Sequence, residues 1–513
     1  MIFLDGSSLT LEQLTAIADD DVQVELAPDA ARRIEASRQV VDRAAEGTEP
    51  VYGINTGFGA LAETAVPHEA LGALQLNLLR SHAAGVDEPL PVRAVRATMA
   101  LRANVLAKGF SGIRRTTVEH LLALLNRRVH PRVPSRGSVG ASGDLAPLAH
   151  LSLVLVGEGE ATVAADPEVL SGRAALARAG LEPVTLGPKE GIALINGTQP
   201  STAIAALALV GAERLARAAD VTAALSIDAL RGSIKPFDSR IHDARPYDGQ
   251  VISARNIRRL LEGSAINASH ADCGRVQDAY SMRCAPQVHG AAREALGFVR
   301  RIVTLEANAA TDNPMVFLGD PAGAHRDDEI ISGGNFHGAP VALAADFLVL
   351  ALAQLATISE RRSDRLVNPV LSDLPAFLTR HSGLQSGFMM AQVTAAALAS
   401  EIKTLAVPAS VDSIPTSANR EDHVSMSMGA AHKASRALHL ATRVVAIELL
   451  CGAQAIDLLA PLQPSASLRS VLTSLRRRVP MLIDDRAQSP DIEAIAAWIA
   501  DGSLDRACNG EVK

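Results

Sequence analysis

Apolar residues recur three and four positions apart through most of the chain, the spacing that predicts helices with one buried face. Residues 28–45, 69–81, 91–107 and 117–126 carry it in lengths ordinary for a globular protein. Beyond residue 200 the periodic stretches lengthen: an Ala-rich run to about residue 230, then 291–310, 337–360, 389–405 and 421–459. Several exceed the mean helix length of about 11–12 residues by a wide margin. Helices so long, and apolar over much of their circumference, need a bundle in which to bury themselves, often one shared between subunits. Alternation with period two stands out at Val22-Gln-Val-Glu-Leu26, a half-buried strand. Residues 166–188 read as a surface excursion. The pattern predicts a mainly α fold, with an N-terminal domain over residues 1–197 and a long-helix bundle with small terminal helices over 198–513.

The breaks in this pattern are where polar residues and glycines collect. In Gly137-Ser-Val-Gly-Ala-Ser-Gly-Asp-Leu-Ala-Pro-Leu-Ala-His150, the small residues Ala141, Ser142 and Gly143 free the backbone to turn tightly. Asp144 is expected to cap the helix that Leu145 begins, with Pro147 in its first turn. Asn196 precedes the Ala-rich helix in the same way, and Glu421 reads as a first-turn acid with Ser417 or Asn419 as cap. If these three positive helix ends meet, they make an electropositive pocket. A helix predicted over residues 274–284, ended by Pro286, carries Gln277, Tyr280 and Arg283 at intervals of three on one face. An arginine beside a tyrosine can hold a carboxylate with two prongs while the phenol handles a proton.

Composition narrows the choices. With 48% hydrophobic residues but only 3% aromatics, the core must be built from Ala, Leu and Val, which favours closely packed helices over a β-sandwich. A net charge of −7 offers no basic field for nucleic acid. Cys273, Cys284, Cys451 and Cys508 show no C-x-x-C spacing, so they read as reduced thiols, neither zinc ligands nor a disulfide framework. The N-terminus lacks a basic, then apolar, leader. Residues 341–357 approach the apolarity of a membrane span, but Asp346 and Gln354 interrupt them and favour a bundle helix. The acidic run from His325 to Glu329 reads as a solvated loop, with no metal site implied. Ser142, Asp144 and His150 are the letters of a serine hydrolase, yet G-x-S-x-G fails because Asp144 stands at its fifth position. The G-x-G-x-x-G dinucleotide pattern also fails in this loop, and the chain has no P-loop or H-E-x-x-H.

On Tyr52-Gly-Ile-Asn-Thr-Gly-Phe-Gly59, Ser81-His-Ala-Ala-Gly85, the Gly137 segment, Asn196-Gly-Thr198, Gln277-Asp-Ala-Tyr-Ser-Met-Arg283, residues 332–337 and residues 413–426, the chain resembles the aromatic amino acid ammonia-lyases. These motifs stand in the family's order over nearly the whole length. The resemblance implies a fold of the ammonia-lyase and fumarase–aspartase type. It also implies that Ala141-Ser142-Gly143 cyclises, the glycine nitrogen attacking the alanine carbonyl with loss of two waters, into a methylideneimidazolone (MIO) electrophile, with no external cofactor and no metal. The chemistry asks for such a group: a general base alone supplies about 10²- to 10⁴-fold, too little to remove a non-acidic β-proton and expel an amine, whereas covalent capture of the amine makes it a better leaving group.

By the same resemblance, Tyr52 is the base for the β-proton and Tyr280 moves a proton near the electrophile. Arg283 binds the carboxylate, Asn196 and Gln277 orient, and Phe336 lines the pocket. The pair Ser81-His82 points to L-histidine, where tyrosine-specific relatives tend to have His-Leu and phenylalanine-specific ones Phe-Leu. His82 and Glu421 would then hydrogen-bond the two imidazole nitrogens, and Met389 would pack against the ring. The implied enzyme is a cytoplasmic homotetramer with sites shared between subunits, needing neither membrane nor nucleic acid, that converts L-histidine to trans-urocanate and ammonia. Arg420 departs from the family, which usually has glutamine there; a cation meeting the Glu421 carboxylate would lower its pKa. A tyrosine or phenylalanine lyase, an aminomutase, a serine hydrolase using Ser142 and His150, and a catalytically silent helical scaffold stand as alternatives.

Overall fold

The computed structural model describes residues 1–47, 49–57, 66–270, 274, 276–320, 323–508, 510 and 512. Alanine and leucine lose little side-chain freedom in a helix, and the stretches rich in them are helical: Pro28–Glu46, Leu71–His82, Val92–Ala107, Arg115–Asn126, Leu145–Leu155, Gln199–Ala229, Ala285–Ala307, Ala339–Val367, Met389–Leu405 and Ser427–Leu458. The chain is mainly helical, as its periodicity predicts, and it divides into two compact units.

The first unit comprises Met1–Leu207, Arg300–Ala345 and Pro408–His432. Its helix Val92–Ala107 is buried on every side from Ala94 to Ala107. The polar residues on that helix therefore need internal partners. Arg96 donates to the carbonyls of Ile17 (3.0 Å) and Leu125 (3.2 Å), and the Asn104 amide donates to the Ala307 carbonyl (2.9 Å). Beside it, Val40, Val41, Ala45, Ile54, Leu71 and Val316 form an apolar cluster. Strand Val24–Leu26 pairs in parallel with Ile2–Leu4. Residues 166–188 are more than an excursion: Asp166–Ser171 is the outer strand of a three-stranded antiparallel sheet with Val129–Pro131 and Glu160–Val163, and it leads into helix Gly172–Arg178, which buries Ala175 and Leu176. Those two apolar residues anchor what their polar neighbours disguise.

The second unit comprises Ala208–Val299, Asp346–Val407 and Lys433–Lys513. Here small residues bring backbones together: a Cβ on Gly290, in helix Ala285–Ala307, would lie 2.5 Å from the Gln250 Cα in helix Asp248–Leu261. The buried Asp220 carboxylate accepts from His289 (2.7 Å), Arg293 (2.7 Å), Ser253 (2.6 Å) and Asn256 (2.9 Å). Burial works against its charge, but these cations and donors hold its pKa far below the usual carboxylate range. Ala339–Val367 and Ser427–Leu458 are long and apolar enough to cross a membrane, yet 67% and 89% of their most apolar windows are buried within the protein, so they are core helices.

Candidate active site

Strand Pro134–Arg136, paired antiparallel with Val86–Pro89, delivers the chain to the Gly137 segment in the first unit. Glycine is required at two places that follow. Gly143 has φ +70°, and a Cβ there would lie 2.2 Å from the Gly197 carbonyl oxygen; a Cβ on Gly197 would lie 2.5 Å from both Arg102 Nη1 and the Thr311 oxygen. The two glycines face each other in a parallel bridge, and the Asp144 amide donates to the Gly197 carbonyl at 2.8 Å. Around them the Val139 carbonyl accepts from the Met426 amide (2.7 Å) and the Gly140 carbonyl from Ser425 Oγ (2.8 Å). The starts of helices Leu145–Leu155, Gln199–Ala229, Ala339–Val367 and Ser427–Leu458 thus border one loop, the convergence expected for Ser142 and Asn196.

Asp144 does not cap its own helix. It stands at the N-cap position of Leu145–Leu155, but its fully buried carboxylate accepts from Ser138 Oγ (2.6 Å) and from the Ser201 amide (2.8 Å), in the first turn of helix Gln199–Ala229. The free amides of that neighbouring helix compete for it successfully. Burial raises the Asp144 pKa, and the two serine donors pull the other way. Behind it Thr198 Oγ1 donates to Glu306 (2.6 Å), whose pKa is raised by burial and by the nearby Asp144 charge, against the pull of Thr198.

Glu421 is not in the first turn of a helix, because Ser427–Leu458 begins six residues later. It follows a turn in which Ser417, Ala418 and Asn419 all have left-handed φ (50°, 52° and 67°), so neither Ser417 nor Asn419 is a helix cap. Three such non-glycine residues in succession are strained, and Thr416 closes the turn by pairing with Glu421 through its backbone. The Glu421 carboxylate accepts from Thr416 Oγ1 and from Ser142 Oγ, both at 2.6 Å. Arg420 is exposed, and no ion pair joins it to Glu421 among the described residues. His82 ends helix Leu71–His82 with Nδ1 2.9 Å from the Leu78 carbonyl, a contact that needs the proton on Nδ1. Burial depresses its pKa, opposed by the Leu78 bond and the Glu421 charge, which leaves a neutral ring with Nε2 as acceptor.

Asn196 follows helix Glu190–Ile195. Its Nδ2 donates to the Asn313 carbonyl (3.2 Å), its own carbonyl accepts from Arg102 (2.8 Å), and its buried Oδ1 has no hydrogen-bond partner among the described residues. Tyr52 is half-buried in a turn that Asn55 secures through the Val51 amide and the Glu49 carbonyl, and Gly53 rests on Pro314. Phe336 is half-buried in the turn before helix Ala339–Val367. Phe58 and Gly59 lie outside the described residues, as does Cys273, while Cys284 and Cys451 carry free thiols. Ser142 and His150 form no dyad: His150 Nε2 accepts from the Gly85 amide at 3.0 Å. In the acidic run, Asp328 pairs with Arg43.

The remaining candidates belong to the second unit. Among the described residues of 274–284, only Tyr280–Arg283 is helical; Gln277 sits exposed in the non-helical segment before it. Pro286 ends nothing, since it occupies the first turn of Ala285–Ala307, where its missing N–H costs no bond. Tyr280 is 70% exposed, with the Arg283 guanidinium carbon 4.8 Å from its ring centroid. Gln277 and Arg283 line a cavity of about 520 Å³ with Arg231, Lys235 and His270. Met389 is half-buried as the first residue of Met389–Leu405. The sequence reading missed the residues that hold the others: Thr416 under Glu421, and Asn313 and Arg102 under Asn196. The polar cluster Thr311-Asp-Asn-Pro314 was a signal for Asn313, whereas Thr416 has no periodic or compositional mark.

Residues 9–477 match the family model for aromatic amino acid lyases. The chain is 56% identical to the histidine ammonia-lyase of Anaeromyxobacter dehalogenans, over 98% of this chain and 99% of that one, and 52% identical to that of Myxococcus xanthus, over 98% and 97%. Among solved structures, it is similar to histidine ammonia-lyase from Trypanosoma cruzi, with TM-score 0.92 and 44% identity over 100% of this chain and 96% of that one. Tyrosine aminomutase from Streptomyces globisporus superposes as well, with TM-score 0.93 and 37% identity over 100% and 99%.

Proposed function

The chain belongs to the aromatic amino acid lyase family, and from that premise we propose that it is a soluble, cytoplasmic ammonia-lyase that converts L-histidine to trans-urocanate and ammonia. The observation that carries the substrate choice is the joint setting of Ser142, Glu421 and His82: a carboxylate on the Ser142 hydroxyl, within electrostatic reach of a neutral, half-buried imidazole. Two acceptors, a ring nitrogen and a carboxylate, are what the two N–H donors of a substrate imidazolium need. The histidine ammonia-lyases among its relatives support the same reading.

Ala141-Ser142-Gly143 fits the MIO group. The positive φ of Gly143 and its contact with Gly197 give the tight turn that cyclisation needs, and Asn196 Oδ1, one residue from that contact and without a partner among the described residues, is an acceptor in wait. When formed, the group supplies an electrophilic alkene for the substrate amine. The chain's own residues do the rest. Tyr52 takes the β-proton, Arg283 clamps the carboxylate, Asn196 and Gln277 orient, and Tyr280 moves a proton. Phe336 and Met389 pack against the substrate. Tyr280 and Arg283 lie at the surface of their unit, and Leu343 (51%), Phe347 (44%) and Leu350 (43%) expose an apolar row on Ala339–Val367. Both features favour a homotetramer in which subunits complete one another's sites.

Incubation with L-histidine should give a conjugated, ultraviolet-absorbing product, and the intact chain should weigh two waters less than its sequence. Ser142→Ala should restore the full mass expected of that variant and remove nearly all activity. Turnover of tyrosine or phenylalanine in place of histidine would move the reading to another branch of the family; wild-type turnover by Ser142→Ala would end it.

A further inference from the structure

Arg362, on helix Ala339–Val367, is fully buried in the second unit. A guanidinium does not shed its proton, so a buried one is tolerable only when its donors are matched. Two of its three nitrogens are matched within the bundle: Nε and Nη2 grip the equally buried Glu448 at 2.5 and 2.9 Å, and Glu448 also accepts from Ser226 Oγ at 2.7 Å. The third reaches elsewhere. Arg362 Nη1 donates at 3.2 Å to the carbonyl of Ser281, the residue between Tyr280 and Met282 in the helix Tyr280–Arg283.

A four-residue helix cannot hold its own shape, because one turn does not recover the entropy of nucleation. This one also carries a 70% exposed tyrosine. It is held from outside, by the Arg362 contact and by the Asp278 carboxylate that accepts from the Ser233 amide (2.6 Å) just before it. Well-packed apolar residues can often replace a buried ion pair without loss of stability, but they supply no donor for the Ser281 carbonyl. Resting on the lyase reading above, we infer that Arg362 is a positioning residue: Glu448 and Ser226 lock its guanidinium so that Nη1 fixes the turn presenting Tyr280 and Arg283 to the substrate.

The test compares Arg362→Lys, which keeps a cation for Glu448 but lacks the planar second donor, with Glu448→Gln, which keeps an acceptor and leaves the Ser281 contact in place. Kinetics with L-histidine are run well below both melting midpoints, alongside intact mass, oligomeric state and amide hydrogen exchange at residues 282–284. Misplacing a substrate clamp by about 1 Å costs on the order of 10²-fold, so Arg362→Lys should lose about that much in kcat/KM, through both KM and kcat, and should exchange those amides faster. Glu448→Gln should melt earlier yet keep kcat/KM within about threefold, since its Ser281 contact survives. Wild-type kcat and KM in Arg362→Lys, or equal losses in both variants, would overturn the inference. If the wild-type chain makes no urocanate, the lyase reading fails first, and exchange alone judges the positioning role: unchanged exchange at residues 282–284 in Arg362→Lys rejects it. Should Arg362→Lys not assemble, the double replacement Arg362→Met with Glu448→Leu takes its place, since it removes the ion pair and the donor for Ser281 together, and unchanged exchange with unchanged KM there is likewise a rejection.

Discussion

The loop around Ser142 and the turn around Tyr280 hold their chemistry in opposite ways. The loop is locked by backbone: Gly143 against Gly197, Asp144 between two helix starts, the carbonyls of Val139 and Gly140 on residues 425 and 426. Ala141 and Asp144 are buried, Ser138, Val139 and Ser142 are half-buried, and its bonds are short. The turn has a single helical round, an exposed tyrosine, a non-helical and exposed Gln277, and outside supports at Ser281 and Asp278. A segment that must fold upon itself to make a group needs compression from every side. A segment that must meet a substrate needs a presented face and only enough support to aim it.

The comparison breaks most sharply at Gly143. Gly143→Ala puts a methyl group 2.2 Å from the Gly197 oxygen, at a φ of +70° that alanine rarely adopts, so the bridge must open. Without the tight turn the two dehydrations should fail, leaving the full expected mass and costing on the order of 10³-fold or more in kcat, since covalent capture is then lost. A variant that is two waters light and active would mean that compression by Gly197 is not what drives the ring to close.

At the turn, the opposite outcome is expected. Arg283→Lys replaces a fork with a point charge, which should cost about 1.5–3 kcal/mol of binding to a carboxylate, or roughly 10- to 100-fold in KM. The guanidinium is only partly buried and its Nε has no partner among the described residues, so the melting midpoint should stay where it is. A large fall in the midpoint would show the turn to be as structural as the loop.

The two regions also differ in how far the sequence discloses them. Helices such as Pro28–Glu46 and Met389–Leu405 were legible because a buried face repeats every three or four residues, and the candidate site residues stood out as motifs. Partnerships were not. Asp144 looked like a cap for the helix after it, but distant amides decided where its carboxylate went. Gln277, Tyr280 and Arg283 share a spacing of three that fits a helix, yet the chain just ahead of Tyr280 is not helical and Pro286 lies in the first turn of the next helix. Nothing local marks the left-handed run at Ser417, Ala418 and Asn419, which moves the helix start from Glu421 to Ser427 and turns the Glu421 carboxylate toward Ser142.

The locked loop carries one weakness that the open turn lacks, a pair of acids packed behind it. Burial and the Asp144 charge both raise the Glu306 pKa, and one Thr198 hydroxyl does not cancel them. A carboxyl whose folded pKa lies above its unfolded value stabilises fully below the unfolded value, and that contribution is lost as pH rises through the folded one. Once pH exceeds the folded pKa, the ionised Glu306 is therefore a liability. Glu306→Gln keeps an oxygen for Thr198 and has no charge at any pH. Its melting midpoint should match the wild type near pH 4 and exceed it increasingly toward pH 8, by about 1 kcal/mol in stability. Asp144 shares the direction of shift but cannot be relieved in the same way, because an amide has one acceptor oxygen and the Ser138 hydroxyl and Ser201 amide each use one. If Glu306→Gln instead loses stability at high pH, the charge is serving the loop, and the helix starts around it are strong enough to need an anion there.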